Sequence, residues 1–146
     1  MKFLNSLQPL SLLILRAALA IIFIYHGYPK LVHADAGMRE FFVLHGLPAY
    51  FVTVAAILEC FGGLLLLVGL FTRPAALLLA AEMGVAIWKV HSMHGVMMVK
   101  EYEFPLALAT ACFVLATTGA GTVSFDNLVL GDSGSKKRRT SKSSKD

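Results

Sequence analysis

Ionisable side chains inside apolar stretches are the residues of this sequence whose types and positions could support chemistry. His26 and Lys30 stand four residues apart where a long apolar run ends, in the stretch IYHGYPKL at positions 24–31. Glu59 lies deep inside a second apolar run, where its short side chain cannot easily reach water. An ionisable group in hydrocarbon costs roughly 2.5 to 3.5 kcal/mol on insertion scales, so each needs a partner or a polar cavity. These residues are therefore the first candidates for a functional site.

The predicted site is one polar cavity that opens toward the outer side of a membrane. Glu103 would begin a later helix at that level, and Trp88 precedes His91 by three residues on the same helical face. Histidine and carboxyl groups can move protons, whereas aromatic rings and lysine can bind a ligand. The predicted catalytic residues are His26, Glu59 and Glu103, and the predicted ligand-binding residues are Tyr25, Lys30, Trp88 and His91.

These residues also have a structural interpretation. Tyr25, Trp88 and Lys30 could form an aromatic and basic belt at the lipid headgroups. That belt explains the depth of Glu59 poorly. For Glu59 the alternative is a protonated carboxyl that hydrogen-bonds a neighbouring helix, on the face where the glycine pair 62–63 permits close helix packing.

Two further charged residues interrupt apolar runs at the other end of the molecule. Arg16 and Glu82 lie at a similar depth from the predicted cytoplasmic ends of their helices. The simplest interpretation is a structural ion pair between helices, with snorkelling of Arg16 to the membrane surface as the alternative.

The sequence predicts no metal site and no covalently bound cofactor. His91 and His94 have helical spacing, but two ligands without a clear third are a weak metal signal, so they are interpreted as interfacial histidines. The two cysteines, Cys60 and Cys112, form neither a CxxC pair nor a haem or iron–sulfur motif. Packing is the role expected for both.

The elements that position these residues are predicted to be membrane helices. Of the 146 residues, 57% are hydrophobic and only 15% are charged. The mean hydropathy is +0.70, which is too apolar for an ordinary soluble domain. Because the apolar runs are continuous rather than alternating, they exclude transmembrane β-strands and favour helices of about 20 residues. We predict an all-α, four-helix transmembrane bundle within residues 1–130, with helices at about 9–28, 49–71, 74–90 and 104–121.

The orientation follows from a basic tail. Residues 131–146 contain the run Lys136-Lys-Arg-Arg139 and too few apolar residues to bury a core, so this segment is predicted to be disordered. Basic residues close to the last helix place it in the cytoplasm, and four spans then place the N-terminus there too. The lipid bilayer is the partner expected for the tail, and nucleic acid is not.

Motifs spread over nearly the whole chain outside the tail carry a family resemblance. They are Leu15-Arg16, His26-Gly27 with Lys30, Gly46-Leu-Pro48, Glu59 with Gly62-Gly63, Gly69-Leu-Phe-Thr-Arg73, Glu82-Met83, His91, Tyr102-Glu-Phe-Pro105 and Ser124-Phe-Asp126. Together they resemble the DoxX family of small four-helix bacterial membrane proteins. The chain departs from the family pattern at Pro29, where a polar residue is usual. Since proline removes a helical hydrogen bond and disfavours helix before it, the first helix is expected to kink or end there.

The resemblance implies a multi-pass protein of the bacterial cytoplasmic (inner) membrane, and it suggests redox chemistry. Some DoxX-like proteins are associated with thiosulfate:quinone oxidoreduction and others with complexes that handle thiol or oxidative stress. We therefore expect a subunit of a membrane redox system, linked either to a quinone or to thiol or oxidative stress, whose cavity binds a quinone or another small redox molecule. If it is part of an enzyme, it bears no redox cofactor, and a soluble or membrane redox partner supplies the electrons. The alternatives are a non-catalytic scaffold or assembly factor for a redox enzyme, and a passage for small molecules or protons.

Overall fold

The computed structural model describes residues 6–91 and 99–128, and it contains helices and turns but no strand in those ranges. The predicted all-α class is therefore confirmed for this part of the chain. The helices are α1 (Gln8–Val32), α2 (Ala36–Leu44), α3 (Phe51–Val68), α4 (Thr72–Ala86), a π-helical segment (Ile87–His91) that continues α4, and α5 (Val99–Thr118).

The first helix runs through Pro29 to Val32, so the predicted stop at this residue is wrong, and a kink there stays a prediction. Helix α1 continues to Val32, and the N–H of His33 donates to the Pro29 carbonyl at 2.8 Å. Proline removes only one helical hydrogen bond, and here it falls near the end of the helix. Lys30, which follows Pro29, is tied by an ion pair to α3 and holds the last turn of α1 in place.

Helix α2 lies between the predicted helices at 9–28 and 49–71, in a segment for which no helix is predicted. Its N-terminus is capped by Asp35, whose Oδ1 accepts from the Met38 N–H at 2.8 Å. Its C-terminus closes with a Schellman-type bond of 2.9 Å from the Leu47 N–H to the Phe42 carbonyl. The chain can turn there because Gly46 adopts a φ of +72°, which costs glycine little.

Close contact between α1 and α3 depends on glycine. A Cβ atom on Gly27 would lie 2.8 Å from the Cβ of Glu59, and one on Gly63 would lie 2.9 Å from Cγ1 of Ile24. Both distances are shorter than real side chains allow, so the two helices could not cross this closely with larger residues. The expected role of the glycines after Glu59 is thereby confirmed, and Glu59 is held against α1.

The long helices pack in a ring, with α1 against α3, α3 against α4, α4 against α5, and α5 back against α1. Their shared core is aliphatic and aromatic, and it includes Leu19, Phe23, Leu66, Leu79 and Leu115. In the described ranges, Gln8–Val32 and Phe51–Val68 are long and apolar enough to cross a membrane, and Tyr102–Thr118 is a shorter apolar helix. Large apolar side chains also cover the outer faces of the helices, as expected of a surface that meets lipid.

Arg16 does not form the predicted ion pair with Glu82. Its guanidinium lies at the C-terminal end of α3, where helix carbonyls lack intrahelical partners. Glu82 instead faces a cavity near Lys30 and Glu59, because it projects from the opposite end of α4. The guanidinium donates to four main-chain carbonyls at 2.8 to 3.2 Å: Leu66, Leu67, Ala120 and Val123.

The turn between α3 and α4 is held by a second long-range contact. The two carboxylate oxygens of Asp126 accept from the N–H groups of Phe71 and Thr72 at 2.8 and 2.9 Å. An acidic group is favourable at this helix N-terminus. Asp126 and Arg16 therefore hold both sides of the turn between α3 and α4 through side-chain contacts to its main chain.

Candidate functional site

Lys30 and Glu59 form a partly buried ion pair between α1 and α3. The Lys30 Nζ atom lies 2.7 Å from Oε1 and 2.6 Å from Oε2 of Glu59. The Glu59 side chain is 4% exposed and the Lys30 side chain 24% exposed. Lys30 reaches Glu59 because Gly27, one turn earlier in α1, lets the two helices approach closely. One predicted ligand-binding residue and one predicted catalytic residue are thus in direct contact.

A cavity of about 200 Å³ opens beside this pair and is lined by residues of α1, α2, α3, α4 and the π-helical segment. Four of the side chains in its wall are polar or ionisable: Lys30, His45, Glu59 and Glu82. The rest of the wall is apolar. It consists of three phenylalanines, Phe41, Phe42 and Phe51, and eight other residues: Leu47, Val54, Ala55, Leu58, Met83, Val85, Ala86 and Val90. A few convergent polar groups in an apolar cavity are the usual composition of a small-molecule site.

Glu82 adds a second carboxyl group to the same cavity. The charges of Glu59 and Lys30 both act on it. Its Oε2 atom is buried and has no hydrogen-bond partner within the described part of the chain. Since Lys30 carries a single positive charge, it can neutralise only one of the two carboxylates.

His26 lies outside the cavity. Its side chain is exposed, and its Nδ1 atom lies 2.9 Å from the Ile22 carbonyl of the same helix. The imidazole ring is 5.6 Å from the Tyr25 ring and 5.8 Å from the Phe104 ring, between centroids. Although His26 and Lys30 are one turn apart in α1, only Lys30 reaches the cavity wall.

The other predicted site residues do not line the cavity or cannot be placed there. Tyr25 borders an apolar depression on the surface of α1, next to Tyr28 and Pro29. The side chains of Trp88 and Glu103 are exposed and lie outside the cavity. The side chain of His91 and all of His94 fall outside the described residues. The predicted tail, residues 131–146, falls outside them as well.

Sequence analysis missed the aromatic and imidazole groups that α2 contributes to the cavity. Phe41, Phe42 and His45 come from this helix or its end, and because no helix is predicted between residues 28 and 49, they had no predicted position. The signals for α2 were present in the capping residue Asp35 and in Gly46. The π-helical segment also borders the cavity through Val90, in keeping with the frequent occurrence of π-helical turns at functional sites.

Comparison with known proteins gives a consistent result. The DoxX family model matches residues 11–92, which contain Lys30, Glu59 and Glu82. The inner membrane protein YphA of Escherichia coli K12 is 31% identical over 130 residues, covering 84% of this chain and 92% of the relative. The inner membrane protein YqjF of the same organism is 28% identical over 130 residues, covering 86% and 96%.

A third relative has a name that refers to redox chemistry. The putative oxidoreductase CatD of Bacillus subtilis 168 is 32% identical over 126 residues, covering 86% of this chain and 92% of the relative. No solved structure shows a significant match to the chain.

Proposed function

The chain belongs to the DoxX family of membrane proteins, and from this premise we propose that it is a subunit of a quinone-linked redox system. It is an inner-membrane protein, as its relatives are. The observation that carries the proposal is the Lys30–Glu59 ion pair in the wall of an apolar cavity. The name of the relative CatD supports a redox role.

We propose that residues 1–130 form a four-helix transmembrane bundle with both chain termini in the cytoplasm. Two helices have the length and composition of spans, and α4 with its π-helical continuation and α5 pack beside them. Lys2, Arg73 and the basic residues of the tail would then share the cytoplasmic side. The cavity would lie in the outer half of the membrane.

The groups in the cavity fit the ring of a quinone. The Lys30 ammonium has three N–H donors and directs two of them at Glu59, so one remains for a carbonyl oxygen of a ligand. Phe41, Phe42 and Phe51 provide aromatic faces and edges on which a flat ring can pack. The volume lies below the roughly 300 to 1,000 Å³ of sites for drug-sized ligands, so it favours a single ring.

The rim of the cavity favours a ligand that arrives from the bilayer. Phe41, Val54 and Val85 line the cavity and are also exposed on the outside of the protein. An apolar tail attached to the ring could pass between these residues into lipid without crossing a polar surface. A water-soluble ligand would gain nothing from such a rim.

The redox step needs a second protein. Reduction of a quinone to a hydroquinone consumes two electrons and two protons. The cysteines at positions 60 and 112 offer no cofactor motif, so a soluble or membrane redox enzyme supplies the electrons. Within this chain, Glu59 and Glu82 are placed to exchange protons with the ring, and Lys30 to hold its oxygen.

Passage of protons from one side to the other is the less favoured alternative. Along the buried face of α1, the apolar residues Leu19 and Phe23 lie between Arg16 at one end and Lys30 at the other. The polar groups at the two ends are therefore separated by the core.

The test is to purify the protein gently from its native membrane and to measure bound quinone per mole of protein. Wild type is expected to retain about one quinone, and Glu59→Gln and Lys30→Met are expected to lose it. Glu40→Gln, an exposed carboxyl change on α2 outside the cavity, is the matched control and should behave as wild type. Quinone no more abundant than in bulk membrane lipid would contradict the proposal. A redox enzyme that co-purifies under those conditions would support the scaffold alternative.

A further inference from the structure

A buried carboxyl oxygen lies in the cavity wall without a partner. Glu82 lines the cavity, and its Oε2 atom has no hydrogen-bond partner among residues 6–91 and 99–128. Buried polar atoms in folded proteins nearly always have a partner, so an unpartnered one requires an explanation such as a ligand. Thr72 Oγ1 is also buried and unpartnered in these ranges, but it lies at the far end of α4.

We propose that Glu82 is the hydrogen-bond acceptor through which the cavity selects a ring that carries a hydroxyl group. This inference rests on the proposed function and specifies the chemical form of the ring that binds best. That form is the hydroquinone or a related phenol rather than the quinone.

Of the two carboxyl groups in the wall, Glu82 is the one with an open acceptor. Both oxygens of Glu59 already accept from the Lys30 ammonium, at 2.6 and 2.7 Å. The charged groups that act on Glu82 are Glu59 and Lys30. A hydroxyl group of a ligand in the cavity could therefore donate a hydrogen bond to Glu82 Oε2.

The cavity wall offers groups of opposite hydrogen-bonding character from different helices. Lys30 and Glu59 come from α1 and α3, and Lys30 contributes a donor. Glu82 comes from α4 and contributes an acceptor. A ring with one oxygen that accepts and one hydroxyl that donates satisfies both. A quinone has only acceptor oxygens, so it satisfies Lys30 and leaves Glu82 Oε2 without a partner.

The experiment uses the full chain in lipid nanodiscs under anaerobic conditions, with two probes added separately. One probe is trimethylhydroquinone, and the other is its dimethyl ether, which keeps the ring and both oxygens but lacks the hydroxyl hydrogens. Binding is measured by equilibrium dialysis. Wild type and the control Glu40→Gln are expected to bind the hydroquinone about 3- to 10-fold more tightly, the effect of one hydrogen bond. Glu82→Met, which removes the acceptor at similar volume, is expected to bind both probes equally.

The outcomes separate this inference from the proposed function. If wild type binds neither probe, both the proposed function and the role of Glu82 are wrong. If wild type binds both probes without a preference, or if Glu82→Met keeps the full preference, the role of Glu82 is overturned while the quinone-type site stands. If Glu82→Met does not assemble, Glu82→Leu decides, because it also removes both carboxyl oxygens. Loss of most of the preference in this variant supports the inference, and an unchanged preference overturns it.

Discussion

The Lys30 ammonium contacts both carboxylate oxygens of Glu59, at 2.6 and 2.7 Å, across the crossing of α1 and α3. The two residues are 29 positions apart in the sequence. Removal of one partner of a buried ion pair leaves an uncompensated charge, which costs more than the pair itself contributes.

The ion pair should show strong coupling in a double-mutant cycle. We expect Lys30→Met to lower the free energy of unfolding by about 3 kcal/mol, the lower end for buried pairs, because Lys30 is partly exposed. The double variant Lys30→Met with Glu59→Leu should be more stable than Lys30→Met alone, since no charge is then left unpaired. Denaturant unfolding in detergent measures this. Additive losses from the two substitutions would show that the residues do not interact.

The close crossing of α1 and α3 should not tolerate a methyl group. Gly27→Ala would place Cβ 2.8 Å from the Cβ of Glu59, so we expect a loss of about 1 to 3 kcal/mol in unfolding free energy. It should also weaken quinone retention, because separation of the helices pulls Lys30 from Glu59. Gly84→Ala is the matched control: nothing lies within 4 Å of its added methyl group, and alanine is the better helix former. Equal stability of the two variants would contradict the packing described here.

Arg16 should not be replaceable by lysine. Its planar guanidinium donates to four carbonyls on two parts of the chain, and one ammonium cannot reproduce that geometry. We expect Arg16→Lys to cost about 2 to 4 kcal/mol, because at least two buried carbonyls lose a charged donor. Arg39→Lys, at an exposed position on α2, is the control and should change the unfolding free energy by less than about 0.5 kcal/mol. A small, equal effect of both substitutions would exclude a stabilising role for the Arg16 contacts.

The cap of α2 should affect the cavity more than global stability. Asp35→Ala removes the acceptor of the Met38 N–H, a loss of about 1 kcal/mol to the helix. We expect faster hydrogen exchange in residues 36–44 and weaker ligand retention, since Phe41, Phe42 and His45 would lose their support. Asparagine is an equally good cap, so Asp35→Asn should behave as wild type. Unchanged exchange in Asp35→Ala would show that α2 is held by other contacts.

The proposed topology makes a separate prediction. A green fluorescent protein fused to the C-terminus should fluoresce, whereas alkaline phosphatase at the same position should stay inactive, because both report a cytoplasmic location. The same pair of fusions at the N-terminus should give the same result. An active phosphatase at only one end would mean an odd number of spans and would disprove the four-helix arrangement.

Much of the architecture was predictable because it depends on local composition. Continuous apolar runs indicate helices in lipid wherever they fold, and the predicted helix at 49–71 overlaps α3 closely. The family was recognisable because each of its motifs is a short stretch of neighbouring residues. Helix α2 was missed because its nine residues are too few to cross a membrane, and the local signals for it were Asp35 at its start and Gly46 after its end.

By itself, the sequence determined that the buried charges need partners, because the cost of an ion in hydrocarbon is a property of the side chain and its solvent. It singled out Arg16, His26, Glu59, Glu82 and His91 on that ground. Only the tertiary structure decided which groups satisfy them. Helix rotation and the close crossing at Gly27 pair Lys30 with Glu59, turn Glu82 toward the same cavity and bring Arg16 to main-chain carbonyls. Which side chains meet in a helical protein depends on small rotations of each helix about its axis and on the distance between helices. The spacing of residues along one helix determines neither.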